Sequence, residues 1–145
     1  MTPALPAPVH YSVPRRGIDG FCDAWHAIGG TSERITSLDE RADPTPTADL
    51  VHATAAIAQT GSIVIDSSRN ARAASLLPDR CAFVIDASTI VDTPGDVLRE
   101  HARWWPGAMP SQIVFVTGPS RSADIEMTLT VGVHGPGRVH AIIIG

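Results

Sequence analysis

Apolar residues recur along the chain with two spacings, one typical of helices and the other of buried strands. Residues 18–28 carry an apolar side chain every three or four positions, which predicts an amphipathic helix that ends at Gly29-Gly30. The same reasoning predicts three further helices, at 48–58, 95–104 and 122–132. In the helix at 95–104, Val97, Leu98 and Trp104 are expected to face the core, and Pro106 ends the helix.

The strand-like segments are short runs of β-branched and aromatic residues bounded by glycine, proline or serine. Strands are predicted at 61–66, 81–88, 112–118 and 139–144, with shorter ones near 33–36 and at Ile90-Val91. These runs are apolar throughout instead of at every second position, which is typical of parallel strands buried on both faces. The alternation of strands and helices therefore predicts an α/β fold, a mainly parallel sheet with helices on both faces.

The length and composition restrict the class of protein. The 145 residues suit one domain, predicted at 17–145, preceded by an arm at 1–16 with four prolines that is expected to be flexible or to bind a partner. The net charge of −4 argues against a nucleic-acid partner. Since no run of 18 apolar residues and no signal-peptide pattern occurs, we expect a cytoplasmic chain without membrane contact.

The two cysteines, Cys22 and Cys81, are too few to hold an iron–sulfur cluster, which usually takes four thiolates. Both are expected to be plain buried or half-buried thiols. The six histidines lack ligand-like spacing, so we predict no metal site.

The junction Gly118-Pro119-Ser120-Arg121 connects a predicted strand to a predicted helix. Backbone N–H groups at such a junction favour an anion, and Arg121 could hold a carboxylate or phosphate with two hydrogen bonds. The alternative is a tight turn in which a serine only caps the helix.

Three residues near this junction are candidates for catalysis. Asp124 and Glu126 follow the helix start, where acids also serve simply to complement the helix dipole. His134, next to Gly135, lies in a loop that could approach a ligand, or its ring could bond a backbone carbonyl. The catalytic assignment therefore stays open.

Two other segments have both a structural and a functional interpretation. Gln59, Thr60, Gly61 and Ser62 connect a predicted helix to a strand and could form a polar cradle opposite Arg121, or Gly61 could simply end the helix. The pair Trp104-Trp105 is expected to pack in the core or against another subunit.

Two segments together carry a family resemblance: 57–65 (IAQTGSIVI), followed by Arg72 and 75–78 (SLLP), and 117–126 (TGPSRSADIE), followed by 132–136 (GVHGP). In this order and spacing the chain resembles the lactate-utilization C family, also called the LUD-domain family, over about residues 48–145. The sequence departs from the family pattern at Gln59, where many members carry an acid, and at Ser62 and Ser122, where threonine is common. The region before residue 48 is also shorter than in typical members.

The resemblance implies a fold similar to the isomerase and CoA-transferase-like superfamily. It also implies a subunit that acts with iron–sulfur partner proteins to oxidise L-lactate to pyruvate, without a cofactor of its own. The alternatives are a stand-alone protein or enzyme that binds a small phosphate or carboxylate, and a non-catalytic interaction module. The resemblance leaves open whether this chain is an enzyme and whether it forms a homo-oligomer.

Overall fold

A computed structural model describes residues 15–69, 80–119 and 137–145. Several sequence predictions lie outside these ranges: most of the proline-rich arm, the helix at 122–132, and the site residues Ser120, Arg121, Asp124, Glu126, His134 and Gly135.

The first predicted helix is confirmed. Helix α1 spans Gly17–Ala27 and buries Phe21, Ala24 and Trp25. The ring of Phe21 stacks on that of Trp25 at 5.9 Å between centroids. The helix therefore forms from the apolar spacing in its own sequence, and its buried face anchors it to the core.

Eight strands form two four-stranded sheets. The first sheet has the order β1 (Thr31–Ile35), β8 (Arg138–Ile144), β5 (Arg80–Asp86) and β2 (Val51–His52). All three of its strand pairs are parallel. This sheet confirms the predicted α/β class with a mainly parallel sheet.

The second sheet is mixed, which the sequence analysis did not predict. Its order is β6 (Ile90–Val91), β3 (Ala55–Ile57), β4 (Ser62–Asp66) and β7 (Ile113–Val116). Strand β4 runs antiparallel to both neighbours, whereas β3 and β6 are parallel. The short link at 58–61 explains this direction, because a parallel pair needs a much longer crossover.

The predicted helix at 48–58 is wrong. The segment forms a 3₁₀ turn at Thr47–Asp49 and then strands β2 and β3. Ala55, Ala56 and Ile57 are completely buried between β4 and β6, so this stretch has no solvent-exposed face of the kind that an amphipathic helix would have. Burial in the centre of a sheet outweighs the helix propensity of alanine.

The predicted helix at 95–104 is largely confirmed but is interrupted at Glu100. Helix α2 spans Pro94–Arg99 and α3 spans His101–Trp104. Thr93 starts α2 with a capping box, in which its hydroxyl accepts from the amide of Asp96. Val97 and Trp104 are buried as predicted, but Leu98 is 61 % exposed, because the neighbouring helix position points away from the core.

Three apolar clusters hold these layers together. The largest joins α1 to the inner faces of both sheets and includes Trp25, Ile63 and Phe83. A second packs Val97, Trp104 and Trp105 on the outer face of the second sheet. The tryptophan pair therefore packs in the core, the first of its two predicted roles.

The outer face of the first sheet carries the third cluster. It includes Ala82, Val84 and Ile142, packed against Leu38 and Leu50 from the segment between β1 and β2. The apolar cluster occupies the part of this face toward the carboxyl ends of the strands. Different residues occupy the amino ends.

Candidate functional site

The two halves of the predicted anion cradle lie next to each other where their residues are described. Residues 59–61 form the turn between β3 and β4, and Thr117, Gly118 and Pro119 follow β7. The Oγ of Ser62 lies 2.8 Å from Oγ1 of Thr117 and 2.7 Å from Oγ1 of Thr60. A chain of three hydroxyl groups thus runs from Thr60 through buried Ser62 to exposed Thr117.

Two glycines of this region allow the loops to approach α1 closely. Gly61 has φ +67°, and a Cβ atom there would lie 2.7 Å from the backbone of Ala24 and Trp25. Gly118 has φ +77°, and a Cβ atom there would lie 2.8 Å from the carbonyl oxygen of Ile28. Because both positions are left-handed and crowded, a larger residue would push the loops away from the helix.

The structure gives positions for only some of the remaining residues of the predicted cradle. Gln59 is exposed, and its amide donates to the carbonyl oxygen of Asp92 at 3.0 Å. The positions from Ser120 onward are not described, so their role in ligand binding stays a prediction. Thr117 was not among the predicted site residues, although a hydroxyl at the carboxyl end of a strand before Gly118 is a signal that could have indicated it.

A separate cleft of about 430 Å³ opens at the amino ends of three parallel strands of the first sheet. Because side chains alternate along a strand, Thr31, Glu33, Arg80, Arg138 and His140 all lie on the outer face of the sheet. All five line the cleft.

The centre of the cleft is a hydrogen-bonded chain of three side chains. His140 Nε2 lies 2.8 Å from Oε2 of Glu33, and its Nδ1 lies 2.8 Å from Oγ1 of Thr31. The carboxylate of Glu33 also accepts from the amides of Ala42 and Asp43, at 2.7 and 3.2 Å. Burial alone would raise the pKa of Glu33, but the hydrogen bonds from His140 and the two amides outweigh it and hold the pKa below its ordinary value. Glu33 is therefore an ionised acceptor at neutral pH.

A second carboxylate lies at the side of the cleft. Asp43 accepts from the amide of Thr45 at 2.9 Å and pairs with Nη2 of Arg80 at 3.3 Å. Burial opposes the ionisation of Asp43, yet the hydrogen bonds from Thr45 and the electrostatic influence of His140 and Arg80 lower its pKa. The negative charges of the cleft are thus already matched by donors of the chain itself.

The cleft and the predicted cradle meet at the carboxyl end of α1. Gly29 lines the cleft, and a Cβ atom at this position would lie 3.2 Å from the ring of Pro119. Gly137 lines the same cleft. The two described residues that flank positions 120–136 therefore lie at or beside one cleft.

The cleft was missed in the sequence because its residues are far apart along the chain. Glu33, Arg80 and Arg138 were not singled out, and His140 was set aside for lack of a neighbouring histidine. The available signal was a polar residue at every second position at the start of two strands, Thr31 with Glu33 and Arg138 with His140.

Among the residues that the structure describes, no three histidine, cysteine or acidic side chains are grouped so that they could hold a metal ion. In the same ranges, no helix has the length and apolar character needed to cross a bilayer.

The fold and the site together define an α/β protein of the mainly parallel class, with a polar cleft at the amino ends of its parallel sheet. A sequence model of the LUD domain matches residues 23–144, so the chain belongs to the LUD-domain family. This match begins inside α1 and includes β1, so it extends the family resemblance well before residue 48.

Two relatives agree with this assignment. The chain is 40 % identical over 125 residues to lactate utilization protein C of Halalkalibacterium halodurans, a match that covers 84 % of this chain and 52 % of that protein. It is 39 % identical over 92 residues to the protein of the same name from Bacillus subtilis, covering 61 % of this chain and 38 % of the relative. The chain thus spans about half or less of the length of these relatives.

The fold is similar to the crystal structure of a DUF162 family protein from Deinococcus radiodurans. The TM-score is 0.61 at 19 % identity, and the match covers 88 % of this chain and 96 % of the other. At this identity the likeness concerns the fold.

Proposed function

We propose that this chain takes part in lactate utilization. The observation that carries the proposal is the 40 % identity over 84 % of the chain to a lactate utilization protein C. The finer proposal is that the chain is a subunit of a system that oxidises L-lactate to pyruvate together with iron–sulfur partner proteins.

The state of the two cysteines supports placing the clusters in partner proteins. Burial raises the pKa of Cys81 to about 12 and also raises the pKa of Cys22. Since the thiolate is the form that binds iron, neither cysteine is prepared as a ligand.

Within such a system, this chain would bind a small anion at the predicted cradle. The hydroxyl chain of Thr60, Ser62 and Thr117 supports this role, because hydroxyl groups can donate to a carboxylate or phosphate. Ser120 and Arg121 would complete the cradle, with Asp124 and His134 at its polar rim.

Growth and activity on lactate test the proposal. Deletion of the gene is expected to abolish or strongly slow growth on L-lactate as sole carbon source, but not on glucose. Affinity purification of the chain from lactate-grown cells is expected to bring down iron–sulfur proteins and L-lactate-dependent dye reduction. Normal growth of the deletion strain on lactate would refute the proposal.

The Arg121→Ala variant tests the ligand site. It is expected to abolish complementation of the deletion strain, because the guanidinium is the strongest anion donor of the cradle. Arg34→Ala is the matched control, since Arg34 is exposed and its one ion pair with a described residue is a 3.9 Å contact with exposed Asp19. Full complementation by Arg121→Ala would favour an interaction module without a ligand at this loop.

The second candidate function is a stand-alone protein that binds a small anion. The observation that favours it is the hydroxyl chain, which is assembled within this single chain. Ligand binding by the purified chain combined with normal growth of the deletion strain on lactate would select this function.

A further inference from the structure

Two pairs of hydroxyl side chains bridge strands β4 and β7, one at each end of the strand pair. At one end, the Oγ of Ser67 lies 3.1 Å from the Oγ of Ser111. At the other end, the Oγ of Ser62 lies 2.8 Å from Oγ1 of Thr117, and this pair continues to Oγ1 of Thr60 at 2.7 Å. The two ends therefore offer a comparison, since only the second lies at the predicted anion cradle.

Ser62 is the fixed point of the longer chain. It begins β4, a strand that pairs with β3 on one side and β7 on the other, and it is 4 % exposed. Its two partners belong to the loops: Thr60 is half-buried in the turn before β4, and Thr117 is exposed after β7. Each loop of the cradle thus has one hydroxyl bonded to the same buried oxygen atom.

An anion at Thr117 would give this chain a single direction. A hydroxyl proton can rotate, and each hydroxyl can donate once and also accept. Because an anion can only accept, Thr117 donates to it and accepts from Ser62, which accepts in turn from Thr60. Hydrogen bonds that run in one direction polarise one another, so the two inner hydroxyls strengthen the outer donor.

The loop that carries Thr117 is also held from the side of α1. A Cβ atom at Gly118 would lie 2.8 Å from the carbonyl oxygen of Ile28, and one at Gly29 would lie 3.2 Å from the ring of Pro119. These close approaches fix the backbone next to Thr117, while Ser62 fixes its side chain.

We infer that Thr117 contacts the anion directly and that Ser62 and Thr60 are positioning residues that act through the Thr117 hydroxyl. The inference rests on the anion site of the proposed function. It adds the donor at the described end of that site and the order in which the three hydroxyls act.

Titration of the purified full-length chain with inorganic phosphate and with L-lactate tests the inference. Binding is followed by the amide NMR shifts of residues 117 and 118. We expect at least one of the two anions to bind and to shift both amides, and the tighter one is used for the variants. No binding of either anion, or binding that leaves both amides unshifted, would overturn the inference.

Three variants separate the direct contact from the positioning role. Thr117→Val is expected to weaken binding at least about tenfold, the loss typical of a hydrogen bond to a charged group. Ser62→Ala is expected to weaken it about threefold, because Thr117 loses the donor that polarises it. Thr117→Ser retains the hydroxyl and should restore most of the affinity. Ser111→Ala, which breaks the hydroxyl pair at the other end of the same strands, is the matched control and should bind like the wild type.

A double variant distinguishes positioning from a general structural role. Ser62→Ala should cause no further loss in a chain that already carries Thr117→Val, since its effect passes through the missing hydroxyl. Additive losses, or unchanged affinity in folded Ser62→Ala, would overturn the positioning role. If Ser62→Ala fails to fold, Thr60→Val at the half-buried end of the chain takes its place in the same cycle.

Growth on lactate separates this inference from the proposed function. If the deletion strain grows normally while the affinities follow the expected order, the proposed function is refuted and the inference stands. If the deletion strain fails to grow and Thr117→Val complements it fully, the inference is overturned and the proposed function stands.

Discussion

Each sheet holds a hydrogen-bonded carboxylate, Glu33 in the first and Asp66 in the second. The two carboxylates have similar hydrogen bonds but different roles. The Asp66 side chain is completely buried at the end of β4 and accepts from the hydroxyl of Thr54, the indole Nε1 of Trp105 at 2.9 Å, and the amide and hydroxyl of Ser68. Glu33 keeps 16 % of its side chain exposed and connects through His140 to exposed Thr31.

The difference lies in where each network ends. The Asp66 network ends on donors of the chain itself and joins β4 to the segment after α3. Burial would raise the pKa of Asp66, but the bonds from Ser68, Thr54 and Trp105 outweigh it and lower the pKa. The Glu33 network ends at a cleft. A closed network of this kind stabilises the fold, whereas an open one can exchange a partner with a ligand.

Removal of Asp66 should have the largest effect on stability. Asp66→Ala is expected to lower the free energy of unfolding by about 3 kcal/mol, since it leaves buried donors of Thr54 and Trp105 without an acceptor. Urea denaturation measures the change. Asp66→Asn keeps the shape and one acceptor, so it should cost less, and equal stability of all three chains would contradict the structural role.

Acid should weaken the fold by protonating its hydrogen-bonded carboxylates. Asp66, Asp43 and Glu33 have lowered pKa values in the folded chain. Their stabilisation is therefore complete above the unfolded pKa of about 4 and is lost as the pH falls through the lower folded values. Urea denaturation between pH 7 and pH 2 should show this fall, with a shallower slope in Asp66→Asn. A flat profile below pH 4 would oppose the prediction.

Loss of one donor to Asp66 should cost less than loss of the acceptor. Trp105→Phe removes the indole N–H and some packing volume, and is expected to destabilise the chain by about 2 kcal/mol. Trp104→Phe provides a comparison, because the Trp104 indole donates to a backbone carbonyl, that of Val97, at 3.1 Å. In the double variant Trp105→Phe with Asp66→Ala, the two losses should not add, and simple additivity would show that the contact is not energetically coupled.

The cleft should tolerate change better than the closed network. Glu33→Gln is expected to cost about 1 kcal/mol, since its one remaining oxygen still accepts from one of the two amides, that of Ala42 or that of Asp43. Thermal denaturation gives the measurement. A loss as large as that of Asp66→Ala would show that the Glu33 network is also primarily structural.

The smallest effect is expected at the exposed end of the Glu33 network. Thr31→Val keeps the β-branched shape and should change the free energy of unfolding by less than about 0.5 kcal/mol. A larger loss in urea denaturation would mean that the hydroxyl supports the fold.

Elements with a strong local pattern were predictable from the sequence. The apolar spacing at 18–28 gave α1, and the β-branched runs gave β4, β5, β7 and β8 within a few residues. The alanines at 53–58 led to the wrong prediction of a helix at 48–58. Alanine suits a helix that has one face in water, but here the alanines are buried and have no exposed face.

The two candidate sites also differ in whether the sequence alone could predict them. The cradle residues at 59–62 and 118–119 could be predicted because glycine and hydroxyl residues mark loops in any sequence, and the structure brings these two loops together through Ser62 and Thr117. The cleft was not found, because Thr31 and His140 are 109 positions apart.

By itself, the sequence determined the class of fold, the family and most of the strands, since these follow from periodicity, turn residues and motifs that are local. Only the tertiary structure decided that the second sheet is mixed, that 48–58 becomes strands, and that Thr31, Glu33, Arg138 and His140 share one cleft. The physical reason is that burial and strand register depend on contacts between distant segments, and these contacts outweigh local preference by filling both faces of a sheet at once.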